Sequence, residues 1–154
     1  MIEAVEVNKA QEAVLSNLLQ KYLYEMTRYY DDPMDENGNY DYPYLPSYFT
    51  EDGRQAYFLY DGSVMVGFAL INRHSFTGEP VDNCIAEFTI FPAYRRGGRG
   101  ADAIAALKQK RAGSWQLKYS TDNAAAAAFW QAVKSTYPGR EQRLNEKERV
   151  IHFE

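Results

Sequence analysis

An α/β fold is what this sequence predicts. Segments with strand character alternate with segments of helical periodicity, in the order strand, helix, irregular stretch, three strands, helix, strand, helix and closing strands. The 154 residues suffice for one buried core and not for two ordinary ones, so a single domain over residues 1–154 is expected. A hydrophobic share of 45% beside 25% charged residues is that of a globular chain.

Ile2 to Val7 is a short β-branched stretch. Asn8, followed three residues later by Gln11, reads as a capping box that opens a helix. Val14, Leu18, Leu19, Tyr22, Leu23 and Met26 repeat at three- and four-residue steps and give that helix one apolar face. From Arg28 to Phe49 the composition changes to tyrosines among carboxylates, with prolines and a glycine and no period. Long aperiodic segments in compact domains serve as lids or binding loops. The other reading is a solvated loop whose tyrosines pack on the core. Tyrosine rings above carboxylates also suit a cationic amine, and Tyr29, Tyr30, Asp32, Tyr42 and Tyr44 are the candidate acceptor-binding residues.

Ala56 to Tyr60, the dipeptide Asp61-Gly62 and Ser63 to Asn72 predict a β-hairpin with a two-residue turn. In its second strand Val64, Val66, Phe68 and Leu70 alternate with Met65, Gly67, Ala69 and Ile71, so both faces are apolar and the strand is central. The next strand sets Cys84, Ala86, Phe88 and Ile90 on one face and Ile85, Glu87, Thr89 and Phe91 on the other. Pro92 ends it. Gly97, Gly98 and Gly100 form a basic turn, and a helix follows with Asp102 in its first turn, Lys108, Lys110 and Arg111 in its last, and Gly113 just beyond. Such a helix start offers unpaired N–H groups to an anion, and glycines let the backbone approach it. Trp115 to Tyr119 alternates as a strand, Ser120 to Asn123 offer N-caps for a helix over about Ala124 to Ser135, and Glu141 to Glu154 closes the chain with strands.

Taken alone, Arg95-Arg96-Gly97-Gly98-Arg99-Gly100 has neither the Lys-Ser/Thr ending of the nucleotide P-loop nor the glycine spacing of the dinucleotide fingerprint. Its flanks are more informative. The six residues fit the Gln/Arg-x-x-Gly-x-Gly/Ala pattern of the Gcn5-related N-acetyltransferases, between a strand ending Ile90-Phe91-Pro92 and a helix. Asn123 to Trp130 resembles that family's Asn-x-x-Ala-x-x-aromatic stretch, and the order of elements agrees over nearly the whole chain. The resemblance implies a mixed, splayed sheet of about six to seven strands with helices on both faces, and acetyl-coenzyme A as cosubstrate without a metal. By the same resemblance the backbone N–H groups of Arg96, Gly97, Gly98, Arg99, Gly100 and Ala101 hold the pyrophosphate, with the arginine side chains, Arg95 included, adding charge. Main-chain groups of Thr89, Ile90 and Phe91 align the pantetheine arm, and Asn123 with Phe129 or Trp130 borders it. Helix-to-sheet packing is the other reading of both rings.

Acetyl transfer needs a neutral amine, whereas an alkyl ammonium has a pKa of ~10, so a base is required. Glu87, the charged residue of the strand leading to the thioester, is the candidate; a solvated or salt-bridged strand carboxylate is the alternative, and a bulge could reverse its face. Many relatives place a tyrosine where this chain has Trp130, and an indole is no ordinary acid. Tyr119, Tyr137 or water then has to serve the leaving thiolate. His74 and His152 are isolated, and Cys84 reads as packing. A net charge of −4 makes nucleic acid an unsuitable partner for the whole surface. The start MIEAVEVNKA lacks the pattern of a signal peptide, and no apolar run reaches the ~18 residues of a membrane helix, so no membrane partner and a cytoplasmic location are expected. Nothing marks an interface, which leaves the oligomeric state open, a homodimer included. The expected activity is acetyl transfer from acetyl-CoA to a small-molecule or peptide amine. A non-catalytic CoA-binding module and an RNA-binding turn are the competing classes.

Overall fold

The computed structural model describes all 154 residues. Strands β1 (Ile2–Glu6), β2 (Gln55–Asp61), β3 (Val64–Asn72), β4 (Asn83–Ile90), β5 (Trp115–Ser120), β6 (Gly139–Arg143) and β7 (Glu148–Phe153) form one sheet in the order β1-β2-β3-β4-β5-β7-β6. All neighbours are antiparallel except β4 and β5, so the sheet is mixed, as expected. Helix α1 (Glu12–Met26) covers one face; α2 (Arg99–Lys110) and α3 (Ala124–Thr136) cover the other.

The apolar pattern explains this division, with local corrections. The Gln11 side chain accepts from the Asn8 N–H at 3.2 Å, and a short 3-10 turn over Lys9–Gln11 leads into α1. The buried face of α1 is centred on Leu15 and Leu19, with Leu18, Tyr22 and Leu23 beside them, while Val14 is exposed. Asp61 pairs with Val64, so the hairpin turn is Gly62-Ser63, one residue later than the Asp61-Gly62 expected; Gly62 takes the left-handed φ of +62°.

Two bulges change the predicted faces. Leu59 pairs with Gly67 and Tyr60 with Met65, which leaves Val66 as an extra residue in β3. Val66 thereby joins Ala69 and Ile71 in the core under α2 and α3, while Met65 sides with Phe68 and Leu70 under α1. In β4, Leu70 pairs with Glu87 and Ile71 with Ile85, so Ala86 is extra. Ile85, Phe88 and Ile90 then lie in the α2/α3 core, and Ala86 and Phe91 lie on the α1 side with Glu87. The expected grouping of Ile85 with Glu87 does not hold, because alternation cannot register an inserted residue.

The parallel pairing that joins the two halves of the sheet is short. Only Asn83–Trp115, Cys84–Gln116 and Ile85–Leu117 are in register, after which β4 and β5 diverge. The sheet is therefore splayed beyond Ile85, and the far part of β4 carries Glu87 and Thr89 along one side of the opening.

Candidate functional site

The opening between the strands leads to the start of α2. A 3-10 turn over Pro92–Tyr94 reverses the chain after β4, and α2 begins at Arg99 behind an N-cap, Gly98, that has no side chain to cap it. The backbone N–H groups of Arg96, Gly97, Gly98, Arg99, Gly100 and Ala101 donate to no other group of the chain. Arg96 and Gly98 take left-handed φ values of +70° and +77° on either side of Gly97. Such an alternation turns successive N–H groups toward one concave surface, and the positive end of the helix adds its field. A non-glycine residue at positive φ costs about 1 kcal/mol, a strain that occurs characteristically at ligand sites.

The arginines of this turn differ from one another. Arg95 folds back to α1, where its guanidinium makes two hydrogen bonds of 2.7 Å to the Glu25 carboxylate; its Nε donates to Ile90 O at 2.7 Å. Arg99 donates to Asp61 at 2.9 Å and to Tyr94 O at 3.2 Å. Of the arginines expected to add charge to the turn, Arg95 and Arg99 are ion-paired within the chain and Arg96 is without an ionic partner. Of the β4 main-chain groups expected to face a pantetheine arm, the Ile90 carbonyl is taken by Arg95, and the Phe91 N–H donates to Val66 O at 2.7 Å. Thr89 is buried and accepts from Arg95 through Oγ1 at 3.2 Å.

On the α3 side, Asn123 caps its helix by accepting from the Ala126 N–H at 3.0 Å. Phe129 and Trp130 meet Phe88 of β4 in one aromatic cluster, with centroids 5.8, 5.5 and 4.6 Å apart. Phe129 also lies over Gly100, where a Cβ would come within 2.6 Å of its ring, so this glycine is required by helix–helix packing. Trp130 is buried in the core and Phe129 partly so. The two alternative tyrosines differ in their surroundings. Tyr119 donates to Glu141 at 2.6 Å, and Tyr137 stacks on Phe153 at the end of the sheet where β5 and β7 begin to pair.

Glu87 lies on the α1 side of the opening. Its Oε2 accepts from Tyr42 at 3.0 Å, and the Tyr22 hydroxyl couples to the same carboxylate. Burial pushes the Glu87 carboxyl up from 4.5 to about 7, against the opposing pull of both hydroxyls and of the Lys118 charge. Burial, then the Glu87 charge, holds the Tyr42 hydroxyl well above the usual phenol range, so it remains a donor. Opposite, Lys118 of β5 pairs with Glu148 of β7 at 3.0 Å, and Tyr30 donates to Glu148 at 3.1 Å. Burial pushes the Cys84 thiol up to about 12, an unreactive state that suits the packing role expected of it.

The irregular segment is therefore divided in use. Tyr30 and Tyr42 reach the Glu87 region, whereas Tyr44 lies exposed with the Arg54 guanidinium 5.2 Å from its ring centroid. Asp32 is exposed and acts on Tyr30 through its charge; Tyr29 is half-buried. Sequence reasoning missed Tyr22, Lys118, Glu148 and Glu25. Tyr22 was legible only as part of the apolar face of α1, and the other three lie on elements distant in sequence. No group of His, Cys, Asp and Glu side chains is arranged to hold a metal ion, and no helix is long and apolar enough to cross a membrane.

No protein-family model matches the sequence, and no curated protein does. Solved structures match it over almost its full length. An acetyltransferase from Thermus thermophilus superposes with a TM-score of 0.71 at 15% identity, covering 99% of this chain and 96% of that one. A spermidine N-acetyltransferase from Vibrio cholerae, solved with CoA and spermine, gives 0.68 at 10% identity, with 99% and 94% covered. The ribosomal-protein-S18-alanine N-acetyltransferase from Escherichia coli gives 0.61 at 15%, with 99% and 93% covered. At identities of 10–15% such likeness carries the fold, and it supports the resemblance read at Arg95–Gly100 and Asn123–Trp130: the chain is built on the fold of the Gcn5-related N-acetyltransferases.

Proposed function

We propose that this chain is an acetyl-CoA-dependent N-acetyltransferase that acetylates a primary amine of a small molecule or peptide by direct transfer. The observation that carries this reading is the continuity of one opening: the unbonded N–H run from Arg96 to Ala101 stands at the end of the same strand that holds Glu87, beside the splay of β4 from β5. The run fits a pyrophosphate in donor number, curvature and field, and Arg96 adds an unpaired charge. That two of the structural neighbours were solved with coenzyme A supports the same ligand here. When bound, acetyl-CoA supplies an activated acetyl thioester.

The chain's own residues then handle the proton. With a pKa near 7, Glu87 is about half ionised at neutral pH and can accept a proton in its ionised half. Taking it from an ammonium of pKa ~10 is uphill by about 4 kcal/mol in water. A tyrosine-walled pocket disfavours the charged amine and reduces that gap. Tyr42 fixes the carboxylate by donating to it, and the raised pKa values of Tyr42 and Tyr22 make both poor proton sources for a thiolate. A thiol of pKa ~8.5 departs acceptably as the anion and is protonated by water.

The test measures free thiol released from acetyl-CoA with a panel of amines, alongside calorimetric titration with CoA. Binding with amine-dependent release is the expected result. Binding without turnover on any amine would establish a CoA-binding module instead. Affinity for RNA that falls steeply with salt and is indifferent to acetyl-CoA would overturn both.

A further inference from the structure

A groove of about 590 Å³ lies between α1 and the end of β4. Leu18, Tyr22 and Phe91 give it an apolar lining, and Tyr22 and Thr89 connect it to the Glu87 side of the opening. Its rim differs from the rest of this acidic chain. Lys21 and Arg28 both border the groove and neither is ion-paired; the one hydrogen bond of the Lys21 ammonium goes to Asn17 O at 3.4 Å. Glu25, the carboxylate between them, has both oxygens held by Arg95. The acidic residues between Asp31 and Asp41 do not line the groove, and Asp35 accepts from the N–H groups of Asn37 and Asn39 in its own turn. Lys21 stands on α1 and Arg28 in the turn just past its end, and both line the groove.

We infer that the acceptor amine also carries an anionic group, a carboxylate or phosphate, which Lys21 and Arg28 hold at the rim of the groove. This deepens the transfer reaction proposed above and rests on it. The suitability for a cationic amine rests on composition; the groove adds a negative end to the acceptor. Lys21 adjoins Tyr22 on α1, and Arg28 stands in the turn that follows the helix. A short peptide with a free carboxylate and an ω-amino acid both carry an amine and an anionic group at separate ends.

Matched pairs test this directly: triglycine against triglycine amide, and 6-aminohexanoate against its amide, with 1,6-diaminohexane as the cationic alternative. At low salt the acids should exceed the amides by about tenfold in kcat/KM, the preference should shrink as salt rises, and the diamine should be poorest. In the double variant Lys21→Ala/Arg28→Ala the acid-to-amide ratio should fall close to one, and Arg28→Lys should retain part of it. Equal use of acid and amide, or best use of the diamine, overturns the inference while leaving acetyl transfer intact. A raised KM for acetyl-CoA in the double variant with an unchanged acid-to-amide ratio would assign the two cations to the nucleotide and overturn it too. Failure to acetylate any amine removes the transfer reaction itself, and this inference with it.

Discussion

Replacing Glu87 with Gln separates a base raised by burial from an ordinary strand carboxylate. The folded protein holds the Glu87 proton up to about pH 7, whereas the unfolded chain releases it near 4.5. Below the lower value both states are protonated and the residue is neutral to stability. Between the two the folded state binds more protons, so stability falls as pH rises, and above pH 7 the full penalty is present. The rise corresponds to about 3 kcal/mol, or about 2 once solvent access to this part-exposed side chain is allowed for. Glutamine mimics the protonated acid and can still accept from Tyr42, so the variant lacks the penalty at every pH. The variant should match the parent near pH 4.5 and exceed it by about 2–3 kcal/mol at pH 8. With a urea slope of about 2 kcal/mol/M, the unfolding midpoint moves up by about 1 M at pH 8. Fluorescence of the buried Trp115 and Trp130 reports the transition. In parallel, kcat/KM of the parent should rise with pH through an inflection near 7, and the variant should lose most of its turnover at the low-pH end, with that inflection absent. A stability difference that is equal at both pH values, or a variant less stable at pH 8, would mean that Lys118 and the tyrosines stabilise the carboxylate outright. The base assignment would then have no basis.

Three further substitutions test other parts of the site. Arg96→Gln removes the unpaired guanidinium beside the N–H run and should raise the KM for acetyl-CoA about fivefold to tenfold, with little change in melting temperature, because that side chain makes no hydrogen bond within the chain. Gly67→Ala would set a Cβ 2.1 Å from Thr89 O, which forces β3 from β4 at the start of the opening; a loss of about 3 kcal/mol in denaturant unfolding is expected. Tyr42→Phe removes a donor to Glu87 and should move the acid limb of the pH–rate profile to higher pH, since that hydroxyl holds the carboxyl down.

How far the sequence reaches is clearest along β4. Pro92, the glycines and the dipole-matched charges of α2 act locally, so the strand-turn-helix unit and its free N–H run could be read from composition and spacing alone. The faces of β3 and β4 could not. One inserted residue, Val66 or Ala86, leaves the hydrophobic pattern unchanged in kind and reverses its sense, and only the pairing partner reveals it. The charge partners were hidden for a related reason. The Arg95 guanidinium reads as phosphate-binding in its motif, yet Glu25 lies 70 positions away and no local rule connects them. That pairing has a further effect on the site. By holding both oxygens of Glu25, Arg95 offsets the charge of the one acidic side chain that lines the groove between Lys21 and Arg28, and through Ile90 O it ties α1 to the strand end that carries the N–H run. Arg95→Ala would free the Glu25 carboxylate to meet the two cations. It should therefore weaken any preference for anionic acceptors and raise the KM for acetyl-CoA in the same variant, whereas a residue acting on the turn alone would move only the second.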